Sequence, residues 1–152
     1  MKPKPFAYTL KETQEAPFLV EDFEVVYRNP IGKLERIRKG VSYSTLEHMS
    51  RGSALPIKQL LALLGLPQTT YNKRKRENET LSIRDTELLF VLYETLRYGY
   101  EVFNNERSLF ERWLHVANPS LSGYTPVSLF DTITGIQEVK HCLHSINYGT
   151  LA

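Results

Sequence analysis

The stretch Leu55-Pro56-Ile57-Lys58-Gln59-Leu60-Leu61-Ala62-Leu63-Leu64-Gly65-Leu66-Pro67-Gln68-Thr69-Thr70-Tyr71-Asn72-Lys73-Arg74-Lys75-Arg76 decides how the chain is read. Pro56 suits the first turn of a helix, where its missing N–H has no helical partner. Ile57, Leu60, Leu61 and Leu64 then recur at helical spacing and predict one buried stripe. Gly65 stands where a left-handed residue would end that helix. A second short helix follows, polar at its start and basic at its end. Two helices joined by a tight glycine turn, the second one basic, make the helix-turn-helix arrangement that lays its second helix in the DNA major groove. An ordinary antiparallel helix pair with a solvated basic face gives the same local pattern.

On this reading Gln68, Thr69 and Asn72 reach base edges, the amides being suited to adenine, and Thr70 belongs to the same DNA-binding helix start. Lys73, Arg74, Lys75 and Arg76 hold phosphates. Tyr71 is expected in the core. One such module buries little area, so useful affinity calls for a dimer with half-sites about 34 Å apart.

Outside this stretch the composition is that of a globular protein. The 152 residues are 41% hydrophobic and 24% charged, with a net charge of +2. That total is too small to explain DNA binding, and the basic character is local instead. Asn72 to Glu77 hold four cations and one anion, whereas residues 105–152 hold three cations and four anions. The single cysteine, Cys142, excludes an internal disulfide and fits a reducing cytoplasm. No secretory signal is evident, and the longest apolar run, Leu60 to Leu66, is far short of the roughly 20 residues that span a bilayer.

The remaining elements are predicted to be helices, giving a mainly α fold. Residues 1–39 form a lead-in of uncertain structure. Within it, Phe18 to Tyr27 fits either a strand or a helix, and Ile31 to Lys39 is helical with Ile31, Leu34 and Ile37 inward. Ser42 caps a helix from Tyr43 to about Arg51, with Leu46 and Met49 buried. Ser82 caps a long helix from Ile83 to about Phe103, Asp85 following three residues later. Its apolar residues cover more than one face, so it lies either in the middle of a core or against a partner subunit. The second is favoured here, with Leu88, Leu92 and Leu96 at a dimer interface. Asn104-Asn105 marks a boundary between a domain over 40–104 and a smaller one over 105–152. The latter opens with a helix holding Leu109, Phe110, Trp113 and Leu114 inward. It continues with a helix from Pro126 to Ile133 capped by Thr125, and a last helix capped by Thr134 and stopped at Gly149. His141, Cys142 and His144 lack the second ligand pair of a zinc site. No phosphate loop, dinucleotide turn or nucleophile elbow occurs, so neither an enzyme nor a cofactor is expected.

The pattern Trp113-Leu114 … Asn118-Pro119-x-Leu121-x-Gly123-x-Thr125-Pro126 … Leu129 … Gly135 … Val139 … Leu143 … Ile146-x-Tyr148-Gly149 resembles the toxin-binding domain of the Xre-type antitoxins of RES–Xre toxin–antitoxin systems. Gly40 to Phe103 resembles the helix-turn-helix part of the same family, through Leu55-Pro56, the Leu63-Leu64-Gly65 turn, Thr70 and Leu81-Ser82. Leu61, where the family more often carries a small residue, and Lys75, in a place more often apolar, depart from it. The resemblance implies a helix-turn-helix DNA-binding domain followed by a small helical toxin-binding domain. It implies a cytoplasmic antitoxin that covers the active site of an NAD-depleting RES-domain toxin and represses its own operon as a DNA-bound homodimer. Trp113, Leu114, Leu129, Val139 and Leu143 would form the small domain's core. The turn with Leu121, Gly123 and Tyr124, and the end with Asn147, Tyr148, Gly149 and Leu151, would meet the toxin. A stand-alone transcription regulator, with a sensing or dimerising C-terminal domain, is the alternative.

Overall fold

The computed structural model describes residues 20–53 and 55–149. The helices are α1 (Glu21–Glu24), α2 (Pro30–Lys39), α3 (Thr45–Gly52), α4 (Ile57–Leu64), α5 (Gln68–Arg76), α6 (Ile83–Val102), α7 (Arg107–Leu114) and α8 (Ile133–Asn147), with 3-10 turns at Pro119–Leu121 and Pro126–Leu129. The fold is mainly α. Among the described residues extended pairing is confined to one antiparallel bridge between Ser42 and Thr80, which ties the entry to α3 to the entry to α6.

Helices α2, α7 and α8 pack on α6, while α4 packs between α3 and α5. Ser82 caps α6, its Oγ accepting from the Asp85 N–H at 3.1 Å. Leu89, Phe90, Leu92, Tyr93, Leu96 and Tyr100 are each at most 1% exposed. The expectation of a contact with a second subunit is therefore corrected for Leu92 and Leu96. Leu92 and Leu96 are wholly enclosed by the chain's own core, and Leu88 is half-buried against it. The helix is apolar on two sides because α2 covers one side and α8 another. At its end Asn104 and Asn105 both adopt left-handed backbone (φ 56° and 61°), a conformation short amide side chains tolerate. This reverses the chain into α7.

The N-terminal lead-in is part of this core from Val20 onward. Phe18 to Tyr27 resolves, over its described residues, into the single helical turn α1, whose Phe23 is buried against Phe90 and Tyr93. Asn29 caps α2 by accepting from the Gly32 N–H at 3.0 Å, with Pro30 at the first helical position. On α2 only Ile37 is buried; Ile31 and Leu34 are exposed, contrary to expectation. The reason is rotation about the helix axis. Lys33, one turn before Ile37, turns the same side toward α6 and pairs with Glu94 at 2.7 Å.

In the C-terminal part Phe110, Leu114, Ile136, Val139, Cys142 and Leu143 are buried, and Trp113 and Leu129 lean on the core. Leu109 is exposed instead of inward. The turn after Thr125 ends at Leu129, and Thr132, not Thr134, caps α8 by accepting from the Gly135 N–H at 2.9 Å. Among the described residues no helix is long and apolar enough to cross a membrane.

Candidate functional site

Two surfaces carry the residues singled out in the sequence. The first is α5. Leu60 and Leu61 are buried on α4 as expected, Ile57 and Leu64 are half-buried against the core, and Leu63 joins the buried stripe. Gly65 takes left-handed backbone (φ 63°, ψ 36°), and the Leu66 N–H reaches back to the Leu61 carbonyl at 2.9 Å, closing the helix end. The chain then turns through Pro67 into α5. Tyr71 is buried as expected (3% exposed), its hydroxyl enclosed with no hydrogen-bond partner among the described residues, and burial raises its pKa.

Gln68, Thr69, Asn72, Lys73 and Arg76 are exposed, and Thr70 is half-buried. Gln68 Nε2 donates to Asn72 Oδ1 at 3.2 Å, joining the two amides into one unit. Arg74, which is also exposed, and the half-buried Lys75 are bonded within the protein. Arg74 Nη1 donates to the Tyr43 hydroxyl at 3.2 Å, and Lys75 Nζ pairs with the Glu47 carboxylate of α3 while lying over the Tyr71 ring. The carboxylate raises the lysine's pKa and is itself lowered by it. The apolar place that Lys75 departs from is thus filled by a lysine stem whose charge has a fixed counterion. Tyr43 and Glu47 are site-supporting residues that the sequence did not reveal, since each acts across about 30 residues of intervening chain.

The second surface is the Asn118 turn and the end of α8. Asn118 organises the turn. Its Oδ1 accepts from the Ser120 N–H (2.8 Å), its carbonyl accepts from the Leu121 and Gly123 N–H groups (both 2.9 Å), and its N–H donates to the Tyr124 carbonyl (3.1 Å). Its Nδ2 reaches Cys142 Sγ at 3.6 Å and fastens the turn to α8. Leu121, expected outward, is only 7% exposed and anchors the turn instead; Gly123 and Tyr124 are exposed, Tyr124 by 59%. Asn147, Tyr148 and Gly149 are also exposed, and Leu151 lies outside the described residues. The Tyr148 ring lies 4.6 Å from that of His144, whose Nδ1 is 3.3 Å from the Tyr98 hydroxyl on α6. His144 therefore serves as a prop for an exposed aromatic, and His141 sits beside Glu138.

Residues 33–91 match the model of the antitoxin Xre-like helix-turn-helix domain, and residues 99–149 match that of the antitoxin Xre/MbcA/ParS C-terminal toxin-binding domain. The chain belongs to the Xre antitoxin family. A relative of this antitoxin from Sphingobium sp. (strain YBL2), named Prs ADP-ribosylating antitoxin, is 27% identical over 139 residues, covering 86% of this chain and 87% of its own length. The protein named antitoxin Xre from Yersinia enterocolitica serotype O:8 / biotype 1B is 18% identical over 119 residues, covering 78% and 80%. The first model begins inside α2, which extends the family match upstream of Gly40. Both matched domains are binding domains, and a toxin and DNA are the partners they suggest. In the antitoxin the exposed polar face of α5 falls in the first, and Tyr124 and Tyr148 in the second.

Proposed function

We propose that this antitoxin neutralises a RES-domain toxin by laying its C-terminal domain over the toxin's active site, and represses its own operon in the cytoplasm as a DNA-bound homodimer. The observation that carries the reading is that Tyr124 and Tyr148 are both exposed within the matched toxin-binding domain, Tyr124 on the turn that Asn118 fastens to Cys142 and Tyr148 against the His144 ring. Exposed tyrosines on a fixed scaffold are the side chains that anchor protein interfaces, since they bury a large ring at small entropic cost. The name of the Sphingobium relative points to ADP-ribosyl chemistry, whose usual donor is NAD, the molecule that RES-domain toxins consume. The DNA half of the reading rests on the exposed Gln68, Thr69, Asn72, Lys73 and Arg76 of α5.

The test is co-expression with the protein encoded beside it, which on this reading is a RES-domain toxin. Growth and cellular NAD should recover when the antitoxin is present, and the two chains should co-purify. A neighbouring toxin that depletes NAD undiminished, with no complex formed, would end the neutralisation reading. A lone regulator would show DNA binding with no such partner.

A further inference from the structure

The basic run Lys73 to Arg76 presents four cations in sequence, yet α5 does not offer them equally to a duplex. At about 100° per residue, the buried Tyr71 fixes the inward direction of the helix. Arg74 and Lys75 then fall within about 60° of it, one on either flank, Gln68 lies about 60° from it beside Lys75, and Asn72, Arg76, Thr69 and Lys73 spread in that order over the opposite arc. The contacts agree with this geometry. Arg74 bonds to the Tyr43 hydroxyl just ahead of α3, and Lys75 bonds to the Glu47 carboxylate within it.

We propose that Glu47 and Tyr43 position the reading helix by holding Lys75 and Arg74 on its α3-facing flanks, so that Lys75 makes no phosphate contact and duplex DNA meets Gln68, Thr69, Asn72, Lys73 and Arg76. The inference rests on the DNA half of the proposed function. Turning Lys75 toward a phosphate would break its bond to Glu47 and leave that carboxylate uncompensated near a polyanion, so the pair acts as a neutral unit. Counterion release should then count Lys73 and Arg76 but not Lys75.

The test is the salt dependence of binding by the full-length antitoxin to a duplex carrying its own promoter. Glu47→Gln with Lys75→Met removes both charges while keeping a stem of similar length over Tyr71. This double variant should retain the wild-type slope of log K against log salt. Lys73→Ala and Arg76→Ala should each flatten the slope by about 0.9 per half-site, and Glu47→Gln alone should steepen it by freeing Lys75. A double variant whose slope falls as far as that of Lys73→Ala would overturn this inference alone. A wild-type chain without salt-dependent DNA binding would overturn the DNA reading as well. Amine acetylation of the wild-type protein, mapped by mass spectrometry, gives a second readout that needs no variant to fold. Added duplex should protect Lys73 and leave Lys75 unchanged, and protection of Lys75 would count against the proposal.

Discussion

The Cζ of Phe110 lies 2.2 Å from the point that a Cβ on Gly99 would occupy. Helix α7 thus docks on the bare backbone of α6, and Phe110, itself fully buried, stacks among Tyr100, Phe103 and Trp113 with ring centroids 4.7 to 6.0 Å away. Glycine inside a helix costs about 1 kcal/mol relative to alanine. Gly99→Ala should nevertheless destabilise the antitoxin by about 1–3 kcal/mol, because the added methyl drives into a packed ring. Thermal unfolding checks this, with a fall in Tm of several degrees expected. A variant as stable as the parent would mean that α7 does not sit on α6 as described.

A second prediction concerns acid. The Arg97 guanidinium, followed by the Tyr93 hydroxyl, holds the Glu24 carboxyl below its usual range, against the opposing effect of burial. A carboxylate with a depressed pKa contributes stability that is present above its unfolded value and lost as pH falls through the folded one. Glu24→Gln should therefore cost on the order of 1 kcal/mol near neutrality and almost nothing near pH 3. Burial, with the Glu24 bond second, raises the Tyr93 hydroxyl well above the ordinary tyrosine value. That group gives stability present below about pH 10 and lost as pH rises beyond it. Unfolding midpoints across pH check both limbs. An equal cost of Glu24→Gln at both ends of the acid range would show that the cluster does not titrate as described.

Much of the frame was legible because it depends on local chemistry. Gly65 and the two asparagines at 104 and 105 announce left-handed backbone, and Ser82 and Thr125 announce caps whose bonds form within three residues. What was not legible depends on which way a helix is rotated or what crosses to it from afar. Leu92 and Leu96 read as one of two apolar faces, and only the packing of other helices on α6 encloses them. Ile31 and Leu34 look inward by type, but Lys33 and Ile37 take that side of α2. Thr132 and Thr134 both precede a helical pattern, and the bond to Gly135 chooses between them. In the candidate sites the same division holds. The polar face of α5 could be read from spacing, whereas the counterion of Lys75 comes from Glu47 and the latch of the Asn118 turn comes from Cys142.

The toxin surface yields a third prediction. Tyr124 and Tyr148 are the large exposed aromatics of the C-terminal domain, and truncating an interface anchor of this kind typically costs 2 kcal/mol or more, about 30-fold in affinity. Tyr124→Ala and Tyr148→Ala should each weaken the complex with the cognate toxin by about that factor while leaving the fold intact. His144→Ala, which removes the ring propping Tyr148, should have a smaller effect in the same direction. Titration calorimetry with the purified toxin decides it. Unchanged affinity in both tyrosine variants would move the contact surface elsewhere on the domain.

The amide pair on α5 yields a prediction about sequence reading. Because Gln68 Nε2 donates to Asn72 Oδ1, Gln68 Oε1 and Asn72 Nδ2 remain available as one acceptor and one donor. Adenine presents the complementary N6–H donor and N7 acceptor in the major groove, so the two side chains together match one A·T pair. Asn72→Ala should cost about 1–3 kcal/mol on the native operator and relax the preference at a single base pair, since the Gln68 amide loses its fixed partner. Lys73→Ala should instead weaken every sequence alike. Binding measured against a set of operators substituted one base pair at a time separates the two behaviours. If Asn72→Ala lowered affinity equally for all of them, the pair would be a contact to the backbone and the reading of bases would lie with Thr69 or outside α5.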